Sequence, residues 1–534
     1  MTKPLRPISD ETSPTPPGPG RLPSQIAWRA LLVPLTVLLP LVTLAPTADH
    51  RFNIYWHGAD FRSHPLRLVT ENLHTVPYYL ARGNFRPIGR MAEDIVDLAA
   101  YLLMESLRLP ADIAFRLVSF LAAAVLTGAA VVLAESLLAR GTQRGRTPSR
   151  LAALIPFAVG AGFVAAGPNS TTVLFGGLYL LSTALVLTVA AALCRSVTAE
   201  PRRAGRLPAL GAIVAGGFLA AFNEVACLAP ALALVAVLVR ARVVLGLDWR
   251  SALTGRGARL VGLLWLGFLP IFVPVRVAIH HLCRTGTCYS GSDVTLGSGA
   301  ALTLPNRLLS WLPPLQWHAA GWSMEIDLVT VLALTVLTVL AWLTAVNLPA
   351  YASLDRRQAA GVAIVGGTLL VLAAAMAAMN DQTQADAAAG RWGLGWRDSG
   401  ATTVGGTLVL LAGCVAVVRD RIRLLAGLLA VLVAAGAVSA AANRQYLNRN
   451  RGTTANVLNN AIAHEIAVFD DSAAGNKRRC ALRTAFAAIY NKPGVGDDSA
   501  ELPGARTALG RFDATLNLGS KGLNGHPFCV PPKP

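Results

Sequence analysis

Ionisable side chains in this chain crowd into one stretch between two apolar runs, residues 48–111. It holds seven arginines between Arg51 and Arg108, together with seven acids: Asp49, Asp60, Glu71, Glu93, Asp94, Asp97 and Glu105. A positioned carboxylate can take a proton from a reacting hydroxyl, and a guanidinium grips phosphate oxygens through two parallel hydrogen bonds. The plainer use of the same arginines is contact with lipid headgroups or ion pairing with Glu93, Asp94 and Asp97. Motifs of soluble enzymes are absent. There is no Gly-rich phosphate loop ending in Lys-Ser/Thr, and His464-Glu465 lacks the second histidine of a His-Glu-x-x-His pair. His280-His281 beside Cys283 has the wrong spacing for a zinc site. No metal is assigned there and no cofactor is implied; a divalent-metal requirement stays open.

The elements that must position these groups follow from composition. Of 534 residues, 54% are hydrophobic and 14% charged, against about 25% charged in soluble domains. Lipid is therefore the expected solvent. A bilayer core about 30 Å thick needs about 20 helical residues. Apolar runs of that order fall near 30–47, 112–138, 151–167, 172–194, 207–222, 225–239, 258–279, 326–348, 359–379, 402–418 and 424–442. That predicts an all-α polytopic membrane protein with about eleven spans. The 207–239 stretch reads either as two short spans joined at Asn223-Glu224 or as one helix with a re-entrant piece. The formal net charge of +18 sits largely in short Arg-rich connections such as RGTQRGRTPSR and RDRIR. These orient helices by the positive-inside rule and need no nucleic-acid partner.

With residues 1–29 as a disordered cytoplasmic tail rich in Pro, Ser, Thr and Gly, that rule places the C-terminus outside, in a plasma membrane. The transmembrane domain is 30–442, and 443–534 is an extracytoplasmic region. Loops 48–111, 280–325 and 380–401 share its side. Cys283, Cys288, Cys480 and Cys529 all map there, an even set that predicts the disulfides Cys283–Cys288 and Cys480–Cys529. Within the first loop, Ile88, Met91, Ile95, Leu98 and Leu102 recur at helical spacing, opposite Arg90, Glu93, Asp94, Asp97 and Tyr101. Such a helix is expected to lie along the membrane surface, and a second, broken at Pro77, covers 65–82. Glu224 reads as a buried acid or a solvated turn residue, and Asp327 as a helix N-cap. Trp311, Trp317, Trp322, Trp392 and Trp396 fit either sugar stacking or an interfacial aromatic belt.

Asp60-Phe61 within YWHGADF, Gly83-Asn84-Phe85-Arg86-Pro87, and Phe115-Arg116-Leu117-Val118-Ser119 opening the second span resemble the GT-C integral-membrane glycosyltransferases, with a bacterial, actinobacterial-like cast. The resemblance is detailed over residues 30–140 and otherwise one of topology. It implies an inverting enzyme that moves a sugar from a polyprenyl-phosphate donor to a cell-envelope glycan or lipid at the outer face. Membrane lipids, the lipid-linked sugar and the glycan acceptor would be its partners. Asp60 is then the expected catalytic base, with Asp49 the alternative, because many relatives carry a carboxylate pair where this chain has Ala59-Asp60. Arg86 and Arg90 would hold the lipid phosphate, with Arg62, His57 and Glu224 as further substrate-binding candidates. The rival readings are a transporter or flippase for a lipid-linked substrate, and a non-catalytic scaffold with a binding tail. Spans almost free of charge weigh against the transporter.

Overall fold

The computed structural model describes residues 22–46, 50–138, 147–198, 205–284, 288–289, 294–323, 326–490 and 508–530. Asp49 and residues 1–21 of the expected tail lie outside the described residues. Regular structure in the described residues is helical, apart from one bridge between Ser149 and Ala352.

Helix α1 (Leu22–Leu38) leads into a stretch carrying α2 (His50–Ser63), α3 (Arg67–His74), α4 (Val76–Leu80) and α5 (Pro87–Leu107). Next come α6 (Ala111–Leu138), α7 (Arg150–Ala161), α8 (Leu178–Arg195), α9 (Arg206–Ala220), α10 (Ala229–Val239), α11 (Trp249–Thr254) and α12 (Arg256–Cys283). The short α13 (Ser298–Leu309) and α14 (Pro313–Ala320) precede α15 (Leu328–Asn347) and α16 (Arg356–Ala378). After α17 (Asp381–Ala388) come α18 (Ser399–Val418) and α19 (Ile422–Arg451), and the tail forms α20 (Thr454–Ala467), α21 (Ala473–Tyr490) and α22 (Ala508–Asn524).

Nine helical segments among the described residues are long and apolar enough to cross a membrane: α1 with its continuation to Leu41, α6, α8, α10 with the turns flanking it (Ala226–Val244), α12, α15, α16, α18 and α19. The shorter α7 and α9 are apolar too. The chain is built as a multi-pass membrane protein. Large apolar side chains such as Leu266 and Val277 on α12, and Leu332 and Trp342 on α15, stand exposed on the perimeter, where lipid rather than water suits them.

Several boundaries differ from expectation, each for a physical reason. Residues 22–29, expected in the tail, belong to α1. Pro23 falls in its first turn, where a missing N–H is tolerated, and Leu22 and Ile26 are buried. Arg29 is buried as well, donating to Tyr351 Oη at 2.7 Å and to the Leu343 carbonyl at 3.3 Å. The run 151–167 is helical only to Ala161. Twelve residues give about 18 Å of helix, short of the bilayer core, and an irregular, mostly buried segment follows.

Unwound backbone at membrane depth needs internal partners, and two side chains supply them. Asn443 on α19 accepts from Ala165 N at 2.7 Å and donates to the Phe163 and Val37 carbonyls, both at 2.9 Å. Arg116 on α6, wholly buried, donates to the carbonyls of Leu44 and Ala45 at 3.0 Å and of Val173 at 2.9 Å. It ties together two breaks in the helical chain. α8 starts at Leu178, not 172, because Gly177 has φ +94° and approaches α6 so closely that a Cβ would sit 2.7 Å from Ala122 Cβ. The 207–239 stretch is two helices separated by the turn 221–225.

The amphipathic helix in the first loop is present as α5, with the broken pair α3 and α4 before it. Glu93, Asp94, Asp97 and Tyr101 are buried, while Ile95 and Leu102 are exposed. The polar face packs inward on α2, and α2 in turn packs on α22. Ile54 and Tyr55 of α2 share a core with Leu458, Ile462, Phe486, Phe512 and Phe528 of the tail, so the first loop and the tail form one layer at one end of the helix bundle. Asp327 caps α15, accepting from Thr330 N at 2.9 Å.

Both disulfides are formed, Cys283–Cys288 and Cys480–Cys529. The second closes a separation of 49 residues, and loop-closure entropy at that length contributes about 4 kcal/mol. The Cys480→Ala/Cys529→Ala chain should show faster amide hydrogen exchange in α21 and α22, with α6 and α18 unchanged. Equal protection in α21 and α22 would mean that the tail is held by packing alone.

Candidate functional site

The end of the bundle covered by this layer contains a cavity of about 960 Å³. Its polar wall comes from α2, α3, α5, the turn 221–225 and the segment before α18. Its apolar wall comes from α12, through Phe272, Val275 and Ile279, and from α16 and the residue after it, through Leu372, Met376 and Met379. Five arginines line it, Arg86, Arg90, Arg276, Arg397 and Arg511, against four carboxylates, Glu71, Glu93, Asp94 and Glu224. A space with charged groups on one side and membrane-helix side chains on the other suits an amphipathic anion.

Local sequence explains the placement. Pro87 opens α5, where its fixed φ and missing N–H are favourable. That start brings Arg86 to the helix entrance and Arg90 one turn inside. Arg86 Nη1 donates to Tyr179 Oη at 3.2 Å, and its Nη2 lies 3.6 Å from Glu93. Arg90 stacks on Tyr79, 3.0 Å from the ring centroid. Burial, with Arg86 adding to it, pushes the Arg90 guanidinium down to about 9. Among the described residues Arg90 has no ion pair, nor has Arg276 on α12, which faces the ring of Phe272 at 5.5 Å. An arginine held without a carboxylate in such a wall is poised for an anionic ligand.

Glu224 sits in the turn between α9 and α10, accepting from Arg397 Nη1 at 2.7 Å and from Tyr179 Oη at 3.0 Å. Burial would raise its carboxyl, but Arg397 and Arg86 hold it at about 2. It is therefore ionised at neutral pH and already committed.

On α5, Asp94 and Asp97 are one turn apart and share a face. His57 Nδ1 of α2 lies 2.9 Å from Asp94 Oδ1 and 3.6 Å from Asp97 Oδ2. Asn72 Nδ2 donates to Asp94 Oδ2 at 2.5 Å, and His50 Nδ1 lies 2.7 Å from Asp97 Oδ1. Burial by itself would lower His57, yet Asp94 and Asp97 raise it well above the ordinary histidine value. Burial likewise pushes Asp97 up, but His50 and His57 hold it below the ordinary carboxylate value. His57, Asp94 and Asp97 form a group whose ligating atoms lie within 4.8 Å of one another, the arrangement best able to hold a metal ion among the described residues.

Of the residues singled out in the sequence, Arg86, Arg90, His57 and Glu224 line the cavity, as does Trp396. Asp60 does not. Its carboxylate pairs with Arg67 at 2.6 Å and lies 3.4 Å from His64, at the end of α2. Arg62 pairs with Glu105 at 2.5 Å on the surface, also outside the lining. Glu71, Arg276, Arg397 and Arg511 are lining residues that the sequence reading passed over. Arg276 carried a signal, being one charge inside a long apolar run. Glu71 lines the cavity half-buried, with no ion pair among the described residues. Burial raises its carboxyl above the ordinary value, with Asp60 and Asp94 adding to this and His57 and Arg67 opposing it. No protein-family model matches the chain, and no similar curated protein or solved structure was found.

Proposed function

We propose that this protein is a GT-C-like glycosyltransferase of the plasma membrane, whose apolar helices carry the cavity at the outer face. The cavity takes a polyprenyl-phosphate sugar, and the sugar is moved to a hydroxyl of a cell-envelope glycan or lipid. The carrying observation is the amphipathic cavity with two arginines, Arg90 and Arg276, that make no ion pair among the described residues. The phosphate meets guanidinium groups, and the prenyl chain runs against the apolar wall of α12 and α16.

In the transfer step, Glu71 accepts the proton of the acceptor hydroxyl as its oxygen attacks the anomeric carbon. The bond from that carbon to the phosphate oxygen breaks with inversion, and polyprenyl phosphate leaves carrying the electron pair. Charge growing on the leaving phosphate is met by Arg90 and Arg276, fixed before the reaction begins. Trp396 offers an aromatic face to the sugar. The base role expected for Asp60 moves to Glu71 in this reading, because Asp60 is outside the cavity lining and engaged with Arg67.

The test is binding of polyprenyl monophosphate to the full-length protein in nanodiscs, together with release of that lipid from polyprenyl-phosphate sugars. Arg90→Ala should weaken binding by about 1.5–3 kcal/mol, or roughly 10- to 150-fold. Arg90→Lys should recover little, since an ammonium lacks the planar fork that stacks on Tyr79 and pairs with phosphate. Removing a buried, unpaired cation also relieves a desolvation cost, so the unliganded Arg90→Ala protein should melt no lower than the parent. Unchanged affinity in both Arg90→Ala and Arg276→Ala would remove the phosphate assignment.

A further inference from the structure

We propose that His57 Nδ1, Asp94 Oδ1 and Asp97 Oδ2 form a site for one first-row divalent cation, Mn²⁺ or Zn²⁺, in the wall of the cavity. The inference stands on the geometry of α2 and α5 and does not depend on which lipid or sugar the cavity accepts.

Two ligands each about 2.1 Å from a metal stand about 3.0–3.4 Å apart at octahedral to tetrahedral angles. The observed separations from His57 Nδ1, 2.9 Å to Asp94 Oδ1 and 3.6 Å to Asp97 Oδ2, bracket that range. The side chains of His57 and Asp94 are each 10% exposed and that of Asp97 is wholly buried. His57 Nδ1 and Asp97 Oδ2 are buried atoms without an aligned hydrogen bond.

The surroundings are those of a prepared metal site. Each carboxylate has one oxygen held from behind, Asp94 Oδ2 by Asn72 Nδ2 and Asp97 Oδ1 by His50 Nδ1. The other oxygen of each is left turned toward His57. Outer partners of this kind fix the orientation and basicity of ligands. Asn72, 5% exposed, lies on α3, so three helices cooperate in the arrangement. A dication bound there would take the place of the His57 proton between the two carboxylates, since a ligating imidazole must be neutral. An imidazole with two carboxylates suits Mn²⁺ or Zn²⁺ better than a soft-metal or an all-oxygen site would. Three protein ligands leave coordination positions open. Because His57 and Asp94 line the cavity while Asp97 is wholly buried behind them, the open positions face the cavity, where water or a phosphate oxygen could enter.

The experiment uses the full-length protein in detergent, stripped with a chelator and titrated with Mn²⁺ by electron paramagnetic resonance and with Zn²⁺ against a chromophoric competitor. One equivalent of cation per chain is expected. His57→Ala and Asp94→Asn should each weaken binding by more than about 100-fold, and Asn72→Ala, which keeps all three ligands, by about 10- to 100-fold. His281→Ala and His464→Ala, remote from the cluster, should bind as the parent does. Thermal melts of each variant establish that it is folded. Absence of stoichiometric binding to the parent, or equal binding by folded His57→Ala, would reduce the cluster to an imidazolium between carboxylates and overturn the proposal. Polyprenyl-phosphate binding, measured separately without metal, shows whether the phosphate reading survives such a result.

Discussion

Glu71→Gln is expected to lower sugar transfer by about 10²- to 10⁴-fold, the span associated with losing a positioned general base, while polyprenyl-phosphate binding stays near the parent value. Availability separates the four acids. Of the four carboxylates on the cavity wall, Glu224 is held by Arg397 and Tyr179. Asp94 is held by His57 and Asn72, and Glu93 lies between His50 and Arg86. Glu71 alone among them has no ion pair among the described residues. A carboxylate in a strong ion pair is a poor base; an unpaired, half-buried one whose proton affinity is raised is a better one. Glutamine keeps the size and hydrogen-bonding capacity of the side chain, so a merely structural role would leave the rate nearly intact. Asp60→Asn is the contrasting variant. An ion pair with a largely exposed arginine is worth about 0–1 kcal/mol, and its loss should leave transfer close to normal. Full activity in Glu71→Gln, or loss of activity in a folded Asp60→Asn, would return the base to Asp60.

The second large effect concerns stability. Arg307 on α13 and Asp398 just before α18 form an ion pair, with Nη2 2.5 Å and Nε 3.3 Å from the two carboxylate oxygens. Both side chains are almost wholly buried, and Arg307 also donates to the Leu394 carbonyl at 2.7 Å. Burial pushes the Asp398 carboxyl above its ordinary value even with Arg307 beside it. The pair therefore contributes little net stability, yet neither charge can be left alone. Asp398→Ala should cost about 3–5 kcal/mol by stranding the guanidinium. Arg307→Met/Asp398→Leu should recover most of that, because neither charge then remains to be desolvated. Chemical or thermal unfolding in detergent reads both. A double variant as unstable as the single one would show that the pair holds the fold by geometry and not by charge balance. Trp396 and Arg397 immediately precede Asp398, so Asp398→Ala should also weaken ligand binding by loosening that segment.

The sequence by itself determined the solvent of this protein. Apolar runs of membrane length with few charges admit little besides a helical bundle in lipid, since only internally hydrogen-bonded backbone survives there. It also marked the loop that carries Arg86, Arg90 and His57, and the two cysteine pairs. The direction in which polar groups face was decided by tertiary structure. Hydrophobic periodicity located α5, but only packing against α2 and α3 buries Glu93, Asp94 and Asp97 and leaves Ile95 and Leu102 exposed. Chain breaks were likewise settled in three dimensions, because Arg116 and Asn443 satisfy unwound backbone that no local pattern foretells. Asp60 and Glu71 look equivalent in the sequence; only packing shows that Arg67 occupies one and leaves the other open to the cavity. Availability for chemistry depends on which partners are nearby, and distances of a few ångströms between remote residues are set by the fold.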